Sequence, residues 1–129
     1  MARAKLDYNV VIATFKLEKE NFDRFNEFLN GVAKNKYLLN RIEWFMDFYN
    51  NANEVEKGRF IIALNAYSSR RKKFGDKNDK TASKTEVVSV RLKDTVHKKM
   101  IENINSLGFS NYSDFMRRLV LKDLTEAGY

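Results

Sequence analysis

The chain contains no cysteine and only one histidine, His97. Without thiols it can build no disulfide framework, no thiolate metal site and no cysteine nucleophile. His97 stands mid-helix beside Lys98 and Lys99, where it reads as a surface residue and not as a ligand or general base. No glycine-rich phosphate loop, metal-ligand cluster or nucleophile motif occurs, and acidic residues such as Asp94 and Glu102 read as helix-surface charges. Neither catalysis nor a cofactor is expected. Apolar runs fall short of the roughly 20 residues of a membrane span, and no signal peptide opens the sequence. The expectation is a soluble, cytoplasmic protein with neither a membrane nor a small-molecule partner.

What is present is apolar surface and positive charge. Hydrophobic residues make up 43% of 129, with ten Phe, six Tyr and one Trp, which suffices for one domain or two very small units sharing a core. The net charge of +7 is unevenly spread. Residues 1–69 and 85–129 each carry +1, whereas 70–84 carries +5 through Arg70, Arg71, Lys72, Lys73, Lys77, Lys80 and Lys84. Such a segment suits a polyanionic partner, or serves as a solvated linker.

The C-terminal third has the clearest pattern. Thr85 to Leu92 alternates with period two and is rich in β-branched residues, which predicts a strand. Val88, Val90 and Leu92 take one face; Val87, Ser89 and Arg91 take the other. Asp94 or Thr95 can cap a following helix whose apolar face is Val96, Met100, Ile104 and Leu107. Gly108 stops it, and Phe109-Ser110-Asn111 forms a short turn. A second helix begins at Asn111, with Asp114 completing a variant capping box and Phe115, Met116, Leu119, Val120 and Leu124 facing a core.

Val88-Ser89-Val90-Arg91-Leu92 followed by Lys93-Asp94-Thr95-Val96, with Gly108-Phe109-Ser110-Asn111-Tyr112-Ser113-Asp114-Phe115-Met116-Arg117 further on, resembles the ribbon-helix-helix family of DNA-binding proteins. The resemblance covers residues 86–124. It implies a mostly helical fold in which two strands pair antiparallel into a ribbon above packed helices.

A second strand-helix-turn-helix order appears near the N-terminus. Asn9 to Leu17 reads as a strand, and Leu17 lies 75 residues before Leu92. That offset matches Ala13 and Phe15 to Val88 and Val90, and Ile12, Thr14 and Lys16 to Val87, Ser89 and Arg91. Phe22, Phe25, Phe28, Leu29 and Val32 recur at helical spacing and read as core. Lys34-Asn35-Lys36, without glycine, is the expected turn. Leu38, Leu39, Ile42, Phe45, Met46 and Tyr49 form the next apolar face, with Trp44 at its edge. Residues 53–74 predict a further helix with Phe60, Ile61, Leu64 and Tyr67 on one side, and 75–84 a flexible linker. The expected organisation is an N-terminal unit over 6–51, a basic connection over 52–85 and a C-terminal unit over 86–126. Together they form a tandem, pseudo-twofold ribbon-helix-helix arrangement with an extra central helix. It is similar to tandem forms in relaxosome proteins of conjugative plasmids and in regulators of some archaeal viruses. A homodimer pairing like strands between chains is the competing arrangement.

A two-stranded ribbon fits the major groove of B-DNA and turns its outer side chains to base edges. Ile12, Thr14, Lys16, Val87, Ser89 and Arg91 are therefore the expected base contacts. Arg91 offers a bidentate fork for guanine, and Ile12 and Val87 can pack on thymine methyls. Helix N-termini attract phosphate, which makes Asn111, Tyr112 and Ser113 the expected backbone clamps, with Arg70, Arg71, Lys72 and Lys73 adding nonspecific affinity. The resulting expectation is a repressor-like transcription regulator partnered by double-stranded DNA, able to pair on adjacent sites. A relaxosome-accessory or partition protein would bind in the same way. An antitoxin-like interaction module is the third option, disfavoured because about five residues follow Leu124, too few for a neutralising tail.

Overall fold

A computed structural model describes residues 9–67 and 85–129. The basic run Arg70, Arg71, Lys72 and Lys73 and the expected linker lie outside them. Among the described residues the order is β1 (Val10–Glu18), α1 (Lys19–Leu29), α2 (Lys34–Asn51), α3 (Glu54–Asn65), β2 (Thr85–Lys93), α4 (Asp94–Ser106) and α5 (Tyr112–Glu126). The protein is thus mostly helical with one two-stranded antiparallel sheet, and that sheet forms within a single chain.

Both strands span nine residues, and their pairing centres on Thr14 opposite Ser89. The Asp94 N–H donates to the Asn9 carbonyl at 2.7 Å, continuing the ladder one pair beyond Val10 and Lys93. Counting in twos from there makes Leu92, Val90 and Val88 hydrogen-bonded positions and Arg91, Ser89 and Val87 the non-bonded ones, where opposing side chains stand closest. The alternation sorts the faces as the sequence predicts. Ala13, Phe15, Leu17, Val88, Val90 and Leu92 are at most 6% exposed and sit on the helices.

The helical layer closes around Phe45, whose ring lies 4.6 Å from that of Phe115 and 6.0 Å from that of Phe60. Leu38, Ile42, Met100, Ile104, Met116 and Leu119 complete a buried mass continuous with the ribbon's inner face. α3 enters through a capping box: the Glu56 N–H donates to Asn53 Oδ1 at 2.8 Å, and the Asn53 N–H donates to Glu56 Oε1 at 3.0 Å. It ends at Asn65, not near 74, with the Arg118 guanidinium donating to the Leu64 carbonyl at 3.2 Å.

Four local expectations are corrected. The first inter-helix turn is not Lys34-Asn35-Lys36; those residues open α2. The chain turns at Asn30 (φ 47°) and Gly31 (φ 93°), two residue types that tolerate the left-handed region. Val32 consequently sits in that turn, half exposed, and not on the apolar face of α1. Neither Asp94 nor Thr95 caps α4. Lys93 is the cap residue, and Asp94 lies in the first turn with its carboxylate 3.4 Å from Lys98 Nζ, where a negative charge favours the helix dipole. His97 is half-buried, its ring 6.0 Å edge-on from Tyr112, because it faces the start of α5 and not open solvent.

One polar network ties α2 to α5. Arg41 reaches Asp123 in a two-pronged contact, Nε to Oδ2 at 2.9 Å and Nη2 to Oδ1 at 3.1 Å, while the Tyr37 hydroxyl also donates to Asp123. Burial and the Asp123 bond both raise the Tyr37 pKa and keep the phenol protonated. Removing the carboxylate would strand a largely buried guanidinium. Asp123→Ala is expected to destabilise the protein by about 2–4 kcal/mol, read as a lower urea midpoint at unchanged slope. Tyr37→Phe should cost only about 1 kcal/mol.

Candidate nucleic-acid interface

The ribbon's outer face runs from Val10 with Lys93 at one end to Glu18 with Thr85 at the other, and its middle consists of three cross-strand pairs: Ile12 with Arg91, Thr14 with Ser89, and Lys16 with Val87. All six side chains are exposed. Ile12 and Val87 stand out at 59% and 55%, since β-branched apolar residues gain nothing from water. Every expected base-contact residue therefore lies on one face. Within those three pairs Arg91 and Lys16 stand at opposite ends, with hydroxyls at the centre and an apolar side chain beside each cation. From Lys16, paired with Val87, to Arg91 is four residues of strand, about 13 Å.

Two helix starts flank the ribbon. α5 begins after Asn111, whose Oδ1 accepts from the Asp114 N–H at 2.8 Å, leaving the Tyr112 and Ser113 N–H groups without intrahelical acceptors. Of the expected clamp residues, Tyr112 can act only through its backbone. Its side chain is buried, with its ring centroid 6.3 Å from that of Phe15, and its hydroxyl finds no hydrogen-bond partner among the described residues. Ser113 is half-buried and Asn111 exposed.

The second start is one that the sequence reading misses. α2 begins after Ala33, which supplies no side-chain cap, and its first turn carries Lys34, Asn35 and Lys36 with no acidic residue. Asn35 Oδ1 accepts from the Arg91 backbone N–H at 2.8 Å, so this helix start is fastened to the strand edge beside the guanidinium. The signal that could have revealed it is Asn30-Gly31, a helix stop four residues upstream of Lys34-Asn35.

Among the described residues no group of three or more His, Cys, Asp or Glu is placed to hold a metal ion, and no helix is long and apolar enough to cross a membrane. No protein-family model matches the chain, and neither a curated protein nor a solved structure does.

Two measurements check these placements. Burial pushes the Tyr112 phenol above its ordinary value, whereas the unfolded chain ionises near about 10, so the unfolded state loses that proton first. Stability should therefore fall as pH rises above about 10. Tyr112→Phe should reduce that fall and, by deleting an unpartnered buried hydroxyl, raise neutral-pH stability by up to about 1 kcal/mol. Asn35→Ala should speed amide hydrogen exchange at Arg91 by about fivefold, the equivalent of one hydrogen bond of about 1 kcal/mol. Unchanged exchange there would contradict the fastening.

Proposed function

We propose that this protein is a sequence-specific DNA-binding transcription regulator of the ribbon-helix-helix kind, carrying both halves of the ribbon in one chain and reading the major groove with it. The observation that carries the reading is the outer ribbon face. A two-stranded ribbon fits the groove's width, and the two hydroxyls, two cations and two β-branched apolar groups in the middle of its solvent-facing side match what base edges and thymine methyls present. Burial of Ile12 and Val87 against thymine methyls would remove the two most exposed apolar side chains of that face from water.

Two further features support it. The strand pairing centres on Thr14 and Ser89, the two residues that the 75-residue offset makes equivalent, as a local twofold axis through a ribbon requires. The starts of α2 and α5 are each tied to the ribbon, through Asn35 to Arg91 and through Tyr112 against Phe15, which supports a role for them in clamping phosphates on either side of a groove. Phosphate contacts set position and affinity, while Arg91, Ser89, Lys16 and Thr14 set sequence preference.

The test is selection from a random duplex pool at about physiological salt, with the full chain and with Ser89→Ala/Arg91→Ala. Wild type is expected to recover one short motif, and the double variant to lose it while keeping a salt-dependent residual affinity. Loss of a bidentate contact alone is worth about 1–3 kcal/mol. Enrichment of nothing, with binding that merely decays with salt, would refute base readout by the ribbon.

A further inference from the structure

We infer that the DNA site is an unequal near-palindrome, with a strong half read by Arg91 and Ile12 and a weak half read by Lys16 and Val87, so that one chain occupies it in a single orientation. The inference rests on the proposed reading and goes beyond it by specifying the ligand. Because the strands run antiparallel with Thr14 opposite Ser89, the pairs on either side of that centre carry the same classes of side chain in mirrored order: a cation from one strand beside a β-branched residue from the other. Both pairs therefore ask for a guanine and a neighbouring thymine methyl, which defines a near-palindrome.

The pairs differ in how strongly they ask. Arg91 presents a rigid planar fork that matches guanine O6 and N7 together, whereas Lys16 presents a rotatable point charge on a flexible stem. The setting of Arg91 widens the difference. Its backbone is held by Asn35, and the adjacent helix start carries Lys34 and Lys36 with no acidic residue. Beyond Lys16 the outer face carries Glu18 opposite Thr85, whereas beyond Arg91 it carries Lys93 opposite Val10. Like charge on the protein side weakens phosphate attraction at the Glu18 end. Each of these contrasts strengthens the Arg91 half. The separation of about 13 Å places the two guanine positions about four base-pair steps apart.

The test uses the duplex selected by wild type and two symmetrised derivatives, in which either half is duplicated by inversion, with binding of the full chain followed by fluorescence anisotropy at about physiological salt. The duplex with two Arg91-type halves should bind at least about 10-fold more tightly than the one with two Lys16-type halves. Lys16→Arg should make the selected motif symmetric and tighten binding most on the doubled strong half. Arg91→Lys should bring the two symmetrised duplexes to similar affinity. Equal wild-type affinities for the two symmetrised duplexes, or a symmetric motif recovered by wild type, would overturn the inference while leaving ribbon readout intact. Failure of wild type to prefer any of the three over a scrambled duplex would instead overturn the reading beneath it.

Discussion

A two-stranded antiparallel ribbon is not stable in water unless something covers one of its faces. In this protein everything else follows from meeting that requirement. β1 and β2 lie far apart in the chain, and neither can bury Phe15, Leu17, Val88 or Val90 without the other to complete the apolar face. Once paired, they supply a slab onto which all five described helices converge directly or through one another, and Phe15, Phe45 and Phe115 belong to one continuous buried mass. The same pairing that buries the inner face fixes which side chains point outward. Period-two alternation makes the two faces inseparable, since a one-residue slip in register would exchange them. The strength of the core is therefore also what holds the outer face in register.

The connections beneath the ribbon explain how its exposed outer face is supported. Arg41, Tyr37 and Asp123 bind α2 to α5; Tyr49 donates to Ser106 at 2.8 Å and binds α2 to α4; Arg118 reaches from α5 to the end of α3. None of these contacts lies on the ribbon. They fix the helices on which the ribbon rests, and Asn35 carries that constraint to the backbone of Arg91. On the proposed reading, an arginine whose backbone is fastened loses less freedom on meeting a base edge, which favours affinity without adding contacts.

Much of this is legible in residue order, for reasons that can be named. Strand alternation survives in sequence because every second residue of 87–92 and 12–17 meets either core or water, so residue order alone sorts both faces of the ribbon correctly. The apolar face of α5 is legible for the same reason at helical period. The misreadings share a cause. Lys34-Asn35-Lys36 is polar enough to pass for a turn, and the stop at Asn30-Gly31 is masked by Val32, which prolongs the apolar spacing of α1. Asp94 has the chemistry of a cap, but its N–H is still engaged in the strand ladder, so the helix begins one residue earlier than its side chain suggests. The network around Asp123 joins residues more than 80 positions apart and leaves no local periodic trace. Asn35 is of the same kind: a lone polar residue whose partner is a backbone group on a distant strand.

The presence of both strands in one chain changes what the sequence is free to do. Where a ribbon forms between identical chains, every substitution appears twice, and the two ends of the outer face must stay alike. Here the strands differ without losing complementarity. Small Ala13 sits opposite Val90 and large Phe15 opposite Val88, so bulk is redistributed across the ribbon while the face stays filled. The helices differ further. α3 packs Phe60 against Phe45, Phe48 and Phe115, joining α2 to α5 on one side of the bundle. This helix lies between α2 and β2 in the described order. A core that tolerates unequal halves removes the physical reason for the outer face to remain equal, and Lys16 against Arg91 and Ile12 against Val87 are the differences that this freedom permits.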